Sequence, residues 1–439
     1  MNRIGKCLVG AAVIVGVSFQ SAHAQEDLTL CWAAWDPANA LRDMSQDFTE
    51  ETGISMNFEF VPWTNYTDRL LNELNSGGDM CDVLIGDSQW MGLGATQGHY
   101  VQLNDFFNDA GISMDDFMPA TVHNYSTWPK GTENYYALPA MGDAVGWVYR
   151  KDWFERPEIK EAFRQEHGYE LDVPDNWGQL RDIGKFFQGR EIDGQTRYGM
   201  ALYTERGSEG ITMGATSAMY PWGVQFDNPD NPYHMDGYTN GPAAVEALEF
   251  YKDLYECCTP PGHSDAYMTA NLDTYSSGQA AMQMNFFAFF PGIAKNPDVG
   301  GSKSGFFVNP SEEIEASTLG GQGMSVVSYS DMQEEALRYI EWFAQPEIQQ
   351  EWWERGGYTT HRSVLESEGF ADSTSYAAEY LEAMGNVKDF WQEPAYASLL
   401  QAMQRRMHDY VVADQGTAQE ALDRLVRDWE RIFRMEGQR

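Results

Sequence analysis

Three short segments of the chain place tryptophan beside carboxyl or amide side chains. The segments are Trp35-Asp36, Trp63 to Tyr66, and Asp87-Ser88-Gln89-Trp90. An indole ring stacks on apolar C–H faces, while carboxylates and amides form paired hydrogen bonds with neighbouring hydroxyl groups. These residue types therefore favour the binding of a compound that has apolar faces and a rim of hydroxyls.

Each segment follows a stretch of sequence that is typical of a strand. Leu28 to Ala34 and Val83 to Ile85 are mostly apolar, and residues 54–60 alternate between apolar and polar side chains. Leu41 and Phe48 belong to a stripe with helical spacing that lies between the first two strands. Strands alternating with helices predict an α/β fold with mainly parallel sheets flanked by helices. Ligands of such sheets bind beyond the carboxyl ends of the strands, so we expect the three segments to meet there.

Further positions carry side chains suited to the same kind of binding. Asp143 is expected near a crossing between domains, Trp222 is a further stacking candidate, and Arg206 lies in a polar, glycine-rich stretch that could line the site. Arg362 is expected to help to close the site. The alternatives stay open: each tryptophan could pack in a core, Asp36 could cap a helix, and Arg206 could belong to a surface turn.

The charge of the chain restricts its partners. It has 29 lysine and arginine residues against 66 aspartate and glutamate residues, which gives a formal net charge of −37. Nucleic-acid binding needs a basic footprint, so a nucleic-acid partner is not expected. The same excess of carboxylates argues against anionic membrane surfaces and makes an anionic ligand less favourable.

The sequence carries no signature of a catalytic or metal site. No G-x-S-x-G, Walker A, H-E-x-x-H or complete G-x-G-x-x-G pattern occurs, and the 8 histidines lack the spacing of metal ligands. We therefore expect a binding protein without cofactor or metal, and not an enzyme. Paired carboxylates such as Glu205 and Glu209 leave a secreted carbohydrate-active enzyme as the alternative from another class.

Four cysteines follow the N-terminal region, and they allow three pairings that sequence alone does not distinguish. Cys31 and Cys81 are expected as small buried residues of neighbouring strands, which could form a disulfide in an oxidising compartment. Cys257 and Cys258 are adjacent, so they either stay reduced or close a vicinal ring.

The first 24 residues have the pattern of a secretory signal. Arg3 and Lys6 precede an apolar run from Leu8 to Val17, and Ala22-His23-Ala24 offers small residues to a signal peptidase. The run is too short to cross a bilayer, which needs about 20 apolar residues. The sequence thus predicts a signal peptide over 1–24 and a mature protein that is free in the periplasm.

Several longer segments match a known family in the order in which that family carries them. They are Cys81 to Asp87, Tyr136 to Ala140, Tyr149 to Phe154, Tyr275 to Met282, Leu319 to Gly323, and Ala336 to Pro346. On these segments the chain resembles the extracellular solute-binding proteins of carbohydrate ABC importers, the maltose-binding-like group. The match extends over nearly the whole chain after the signal.

The resemblance implies a two-lobed periplasmic-binding-protein fold of type II, with hinged lobes and a ligand in the cleft between them. By analogy, the N-terminal lobe holds 25–140 and 286–327, and the C-terminal lobe holds 146–280 and 332–439. The hinges are expected near 141–145, 281–285 and 327–331.

The resemblance also suggests site residues at two places where this chain departs from its relatives. Relatives often continue an asparagine with Gly-Pro-Trp, whereas here Asn285 is followed by Phe286 and Phe287. A Gly-Gly-Trp-Gly of the family is Gly320, Gly321, Gln322 and then glycine here. Asn285, Phe287, Gly320, Gly321 and Gln322 are therefore candidates, although an aromatic platform has changed place.

These expectations combine into one function. The protein is expected to capture a neutral sugar, oligosaccharide or polyol in the periplasm, as a monomer, and to deliver it to the permease subunits of an ABC transporter. A binding protein for an anionic sugar derivative, such as a sugar phosphate or sulfonate, is the alternative within the class. Arg206 and Arg362 keep that alternative open, because an anion needs a basic partner.

Overall fold

The computed structural model describes residues 27–389 and 392–437. The predicted signal peptide, 1–24, lies outside the described residues. Within those ranges the strands are β1 (Leu28–Ala33), β2 (Met56–Val61), β3 (Val83–Asp87), β4 (Leu138–Arg150), β5 (Arg190–Ile192), β6 (Gln195–Ala201), β7 (Ala280–Phe286), β8 (Ser304–Val308), β9 (Ser317–Val326) and β10 (Val387–Lys388). No helix in the described ranges is both long enough and apolar enough to span a bilayer.

Helices cover the sheet and supply most of the remaining structure. They are α1 (Asp36–Thr52), α2 (Trp63–Ser76), α3 (Met91–Thr96), α4 (Asn104–Ala110), α5 (Pro119–Thr121), α6 (Lys151–Phe154), α7 (Pro157–His167), α8 (Trp177–Phe187), α9 (Gly210–Met219), α10 (Pro242–Cys258), α11 (Met268–Ser276), α12 (Phe290–Ala294), α13 (Gln333–Phe343), α14 (Pro346–Glu354), α15 (Arg362–Leu365), α16 (Ala377–Gly385), α17 (Tyr396–Val411) and α18 (Ala418–Met435).

The strands form one continuous sheet in the order β2-β1-β3-β9-β4-β7-β6-β5, with β8 paired to β4 and β10 paired to β9. β1 runs parallel to β2 and β3, and β6 runs parallel to β7. The long strands β4 and β9 run antiparallel to each other, and β4 is also antiparallel to β7 and β8. The predicted α/β class and two-lobed fold are confirmed, but the sheet is mixed rather than mainly parallel, because β4 and β9 carry the chain in opposite directions.

The start of the chain folds as its hydrophobic pattern predicts. The first helix, α1, buries Leu41, Met44 and Phe48 against the sheet. The second helix, α2, ends at Gly77, whose φ of 62° is the left-handed conformation that glycine adopts without a steric cost. Each βα junction in this region therefore leaves its connecting residues at the carboxyl end of a strand.

Buried side chains form two hydrophobic clusters, and we call the parts of the chain that pack on them the first and the second lobe. The first cluster contains buried residues from Leu28 to Ala144, from Phe287 to Phe306, and from Leu319 to Met384. The second contains residues from Val145 to Phe286, Phe307 and Ala316, and residues from Tyr396 to Phe433. The side chains of Trp63 and Phe289 pack against both clusters.

The chain changes cluster between Ala144 and Val145 in β4 and between Phe286 and Phe287 after β7. The third predicted hinge, 327–331, follows the end of β9. The chain changes cluster earlier, near the start of β9. The predicted assignment of 332–439 to one lobe also differs from the packing, because α13 to α16 belong to the first cluster. The rings of Tyr339 and Trp342 on α13 lie 5.1 and 5.7 Å from Phe48 on α1, which holds these helices on the first lobe.

The cysteines are paired as two disulfides. Cys31 of β1 is bonded to Cys81, which precedes β3, and the adjacent Cys257 and Cys258 are bonded to each other at the end of α10. Among the described residues, no group of three histidine, cysteine or acidic side chains is arranged to hold a metal ion.

We expect thiol titration of the denatured, unreduced mature protein to detect no free thiol among these four cysteines. Both pairs are bonded in the fold, so each sulfur is consumed. The same sample after full reduction serves as the positive control and should show all four. Two free thiols would contradict one of the disulfides, and four would contradict both.

Candidate ligand-binding cleft

Side chains of both lobes line two adjoining cavities beside the carboxyl ends of β1, β2 and β3. The inner cavity is lined by Trp35, Trp63, Asp87, Gln89, Asp143, Glu209, Met213, Tyr267, Met268, Phe286, Leu319, Gly320, Gly321 and Gln322. The outer cavity includes Thr64, Asp68, Trp90, Ser208, Tyr396, Gln401 and Gln404 in its lining. Trp63, Gln89 and Glu209 belong to both linings, so the cavities form one cleft.

The two cavities differ in size. The inner cavity has a volume of about 30 Å³, and the outer cavity has a volume of about 300 Å³. Pockets that hold drug-sized ligands generally span about 300–1,000 Å³. In this conformation, the side chains of the protein itself therefore fill most of the inner space.

One wall of the cleft is a stack of three indole rings. The ring of Trp63 lies 6.2 Å from that of Trp35 and 6.1 Å from that of Trp90, with interplanar angles of 24° and 14°. Tyr66 packs against Trp90 from behind, and its hydroxyl donates hydrogen bonds to the carbonyl oxygens of Cys31 and Ile85 at 3.0 and 2.9 Å. The βα junctions thus bring the three predicted stacking residues together, with Tyr66 as their support.

Asp87 lies at the end of β3 and faces the inner cavity. Its Oδ1 accepts hydrogen bonds from the backbone N–H of Gln89 and from the hydroxyl of Ser88, both at 3.1 Å. Burial, followed by the nearby charge of Asp389, raises the pKa of the Asp87 carboxyl to about 7. The carboxyl therefore binds a proton far more readily than an exposed aspartate does.

Glu209 reaches the cleft from the second lobe. Burial and the charge of Asp87 raise the pKa of the Glu209 carboxyl well above its usual value, although a hydrogen bond from the Trp63 side chain opposes that shift. Glu209 and the preceding Ser208 have φ values of 81° and 34°, a backbone conformation that costs free energy in residues other than glycine. Strained residues of this kind gather at functional sites.

The remaining lining residues come from the crossing strands. Oδ1 of Asp143 accepts hydrogen bonds from the backbone N–H groups of Ala144 and Ala288 at 2.8 and 3.3 Å, and burial raises the pKa of this carboxyl. Oε1 of Gln322 accepts a hydrogen bond from the indole of Trp32. Asp143 and Gln322 are therefore held in place by the protein around them.

Gly320 and Gly321 allow the backbone of β9 to lie close to its neighbours. A Cβ atom on Gly321 would lie 2.4 Å from the carbonyl oxygen of Met141, and the φ of Gly321 is 104°. A Cβ atom on Gly320 would lie 2.6 Å from the ring of Phe286. A side chain at Gly320 would therefore meet two lining residues, Phe286 and Asp143, whereas one at Gly321 would meet the backbone of β4.

The structure places several predicted residues outside both linings. Asp36 is exposed at the first residue of α1. Arg206 has a side chain that is 52% exposed and lies 3.9 Å from Asp409, so the surface-turn alternative describes it better. Arg362 donates a hydrogen bond to Glu366 at 2.8 Å and lines a separate cavity.

Three other candidates are buried in the lobes instead of lining the cleft. Trp222 packs against Trp177 and Phe250 at 5.8 and 5.1 Å. The amide of Asn285 accepts a hydrogen bond from Tyr203 and donates one to the carbonyl oxygen of Met268, at 2.6 and 3.0 Å. Phe287 packs against Phe290 and Tyr380 at 4.8 and 5.8 Å. These three residues stabilise the lobes, and Asn285 positions the start of α11 at the cleft.

Sequence reasoning missed part of the lining. Glu209 belongs to the same glycine-rich stretch as Arg206, so this stretch reaches the lining through a residue other than the predicted one. Phe286 is adjacent to the candidate Phe287. Tyr267 and Met268 carried no sequence signal, because backbone bonds such as Thr204 N–H to Ala266 C=O at 2.8 Å bring them to the cleft.

The raised pKa of Asp87 predicts a pH-dependent stability. The Asp87 carboxyl, with its pKa raised to about 7, retains a proton up to that pH in the folded state, whereas an unfolded aspartate loses it near its ordinary pKa of 3.8. As pH rises between those two values, the unfolded chain loses this proton while the folded protein keeps it, so the free energy of unfolding falls. Above about pH 7 both states are ionised, and the loss of stability stays constant. We expect Asp87→Asn to raise the Tm above pH 7 by several degrees and to change it little near pH 4.

The matched control for this measurement is Asp43→Asn. Asp43 is exposed on α1, and its substitution changes the net charge by the same amount. Thermal unfolding should show a Tm difference that depends on pH for Asp87→Asn alone. A Tm difference between Asp87→Asn and the unmodified protein that does not change with pH would contradict a raised pKa for Asp87.

A cleft between two α/β lobes, walled by aromatic rings and carboxyl groups, is the architecture of a two-lobed ligand-binding protein. The chain belongs to the bacterial extracellular solute-binding protein family, which it matches over residues 34–350. The resemblance stated from the sequence segments is thereby confirmed at the level of the family.

Solved structures and curated relatives agree with this assignment. The solute-binding protein of an ABC transporter from Agrobacterium radiobacter K84, in complex with ribitol, is 19% identical with a TM-score of 0.77, and the match covers 93% of this chain and 98% of that one. A similar protein from Thermotoga lettingae, bound with alpha-D-tagatose, is 20% identical with a TM-score of 0.78, covering 93% and 99% of the two chains. A putative binding protein of Brucella abortus (strain 2308) is 25% identical over 239 residues, which are 54% of this chain and 51% of the relative. The chain thus spans about half the length of that curated relative.

Proposed function

We propose that the protein is the substrate-binding component of an ABC transporter, and that it captures a sugar, oligosaccharide or polyol without a negative charge. The observation that carries the proposal is the cleft itself, in which indole faces and hydrogen-bonding side chains from both lobes surround one space. Stacked rings and a few hydrogen bonds supply about −8 kcal/mol for a micromolar Kd. Binding and release require no bond to be broken, so no catalysis is proposed.

The charge of the lining opposes the anionic alternative. Among the described residues that line the two cavities there are four carboxyl side chains, and none of the lining residues is lysine, arginine or histidine. Arg206 and Arg362, which were the candidates for an anionic group, both lie outside the lining. The solved relatives with ribitol and alpha-D-tagatose bind uncharged compounds of this class and so support the proposal.

The proposal extends to the location and partners of the protein. A signal peptide over 1–24 would release the chain into the periplasm, where the closed lobes present one surface to the permease subunits. The net charge of −37 is compatible with a monomer that binds neither nucleic acid nor anionic membranes. Glu205, which was paired with Glu209 in the enzymatic alternative, lines neither cavity, so that particular pair of carboxylates does not meet in the cleft.

A thermal-shift screen against sugars, polyols and their phosphate and sulfonate derivatives tests this function. We expect stabilisation by at least one uncharged compound and none by its anionic derivatives. Product analysis after incubation should return the ligand unchanged. Stabilisation by anionic derivatives alone, or the appearance of cleaved products, would contradict the proposal.

Ligand entry requires the lobes to separate, because the inner cavity has a volume of only about 30 Å³ in this conformation. Ligand contacts on both lobes stabilise the closed form by their differential affinity for it. We therefore expect a saturating ligand to reduce the radius of gyration in solution scattering. An unchanged scattering curve at saturation would indicate a rigid site on a single lobe and would contradict the closure mechanism.

A further inference from the structure

The cleft contains acidic side chains without basic partners in its described lining. Asp87, Asp143 and Glu209 line the inner cavity, and Asp68 and Glu209 line the outer one. Asp87 and Glu209 line the same cavity and lie close enough for the charge of Asp87 to act on Glu209, so they are the pair of carboxyl groups that a ligand of the inner cavity meets.

These carboxyl groups do not form a metal site, since no acidic cluster with that arrangement occurs in residues 27–389 and 392–437. Burying like charges together is unfavourable unless a positive group or a proton compensates them. In a solute-binding protein the ligand is the group that enters and leaves this space. A ligand with a positive charge would compensate both carboxylates while it is bound.

A second observation points to a hydrogen-bond donor in the same place. Gln89 is 2% exposed and lines both cavities, and its Oε1 is buried without a hydrogen-bond partner. A buried carbonyl oxygen left without a donor costs about 1–3 kcal/mol. An N–H group of a ligand in the cleft would satisfy it.

The indole stack accommodates the same charge. The face of a tryptophan ring attracts a cation within about 6 Å of its centroid, with a free energy of about 0.5–2 kcal/mol. Trp35 and Trp63 line the inner cavity together with Asp87 and Glu209. Aromatic faces, carboxylates and an unpartnered acceptor thus surround one space.

We propose that, within the sugar and polyol class on which this inference rests, the cleft prefers compounds that carry a protonated amine. The ammonium group lies between Asp87 and Glu209 and donates to Oε1 of Gln89, while the hydroxylated carbon chain stacks on Trp63. The amino sugars and amino polyols are the compounds with this combination of groups.

Matched pairs of compounds test the preference without any variant of the protein. The first pair is D-glucosamine against D-glucose, with N-acetyl-D-glucosamine as the uncharged control of similar shape. The second is N-methyl-D-glucamine against D-sorbitol. We expect calorimetry at near-neutral pH to give a Kd at least about tenfold lower for the amine of a pair, which corresponds to about 1.4 kcal/mol.

Variants locate the preference in the cleft. In Asp87→Asn and Glu209→Gln, the ratio of the amine affinity to the neutral affinity should fall toward one. In Asp43→Asn, which removes an equal charge from the exposed face of α1, the ratio should stay as in the unmodified protein. A ratio that falls equally in all three variants would show an effect of net charge and would overturn the assignment to the cleft.

The outcomes separate this inference from the proposed function. Binding of neutral compounds with no gain for their amines overturns the amine preference and leaves sugar or polyol capture intact. Binding of amines above their neutral partners supports both. If neither member of either pair stabilises the protein, and no neutral compound of the wider screen does, both the preference and the proposed ligand class are wrong.

Discussion

Replacing Trp63 by alanine is expected to weaken ligand binding by about 1–3 kcal/mol while leaving the fold intact. Trp63 is the middle ring of the indole stack and lines both cavities, and like Phe289 it packs against both lobes. Its removal deletes the stacking face and the hydrogen bond to Glu209 together. Isothermal titration with a ligand found in the screen measures the change.

Two further variants separate stacking from packing. Trp63→Phe retains an aromatic face without the indole N–H, so its affinity should lie between those of the unmodified protein and Trp63→Ala. Trp90→Ala removes a ring that is only 3% exposed, so it should lower the Tm as well as the affinity. Unchanged affinity in Trp63→Ala would show that the ligand does not bind against this wall.

Replacing Gly321 by alanine is expected to lower the free energy of unfolding by about 2–4 kcal/mol. The φ of 104° is unfavourable for any residue with a Cβ atom, and that atom would lie 2.4 Å from the backbone oxygen of Met141. The neighbour is backbone of the paired strand β4, so it cannot rotate away. Chemical denaturation monitored by circular dichroism measures the loss.

Gly292→Ala is the matched control for this substitution. Gly292 is an exposed residue of α12, and a Cβ atom on it would meet no atom within 4 Å. Alanine is favoured over glycine in a helix by up to about 1 kcal/mol, so the control should be neutral or stabilising. Equal stability of both variants would contradict the close packing at β9.

The first lobe could be predicted from the sequence further than the second. Trp35 and Trp63 each follow a strand by two residues, Asp87 ends β3, and Trp90 lies three residues after it. Parallel strands bring such positions to one edge. Glu209 and Tyr267 depend on how the second lobe docks against the first. Docking is determined by side chains far apart in the chain, which local periodicity does not report.

The resemblance to a family predicted which segments of the chain reach the cleft, but it did not always predict which residue of a segment lines it. Successive side chains of a strand point to opposite faces, so a difference of one position exchanges the cleft for a core. Phe286 ends β7 and lines the cavity, whereas Phe287 is buried in the first lobe. The same alternation explains why Asn285 supports Met268 from within the second lobe.

The hydrogen bond between Trp63 and Glu209 joins the two lobes across the cleft and therefore opposes ligand entry. Separation of the lobes has to break this bond, so the measured affinity equals the intrinsic affinity reduced by the fraction of molecules in which the contact is open. A substitution that weakens this internal contact and keeps the whole indole face would raise that fraction, in contrast to Trp63→Phe, which also makes the stacking face smaller. The strength of this one bond across the cleft thus helps to set the affinity for the solute. Selection can match that affinity to the concentration of the solute without changing the shape of the pocket.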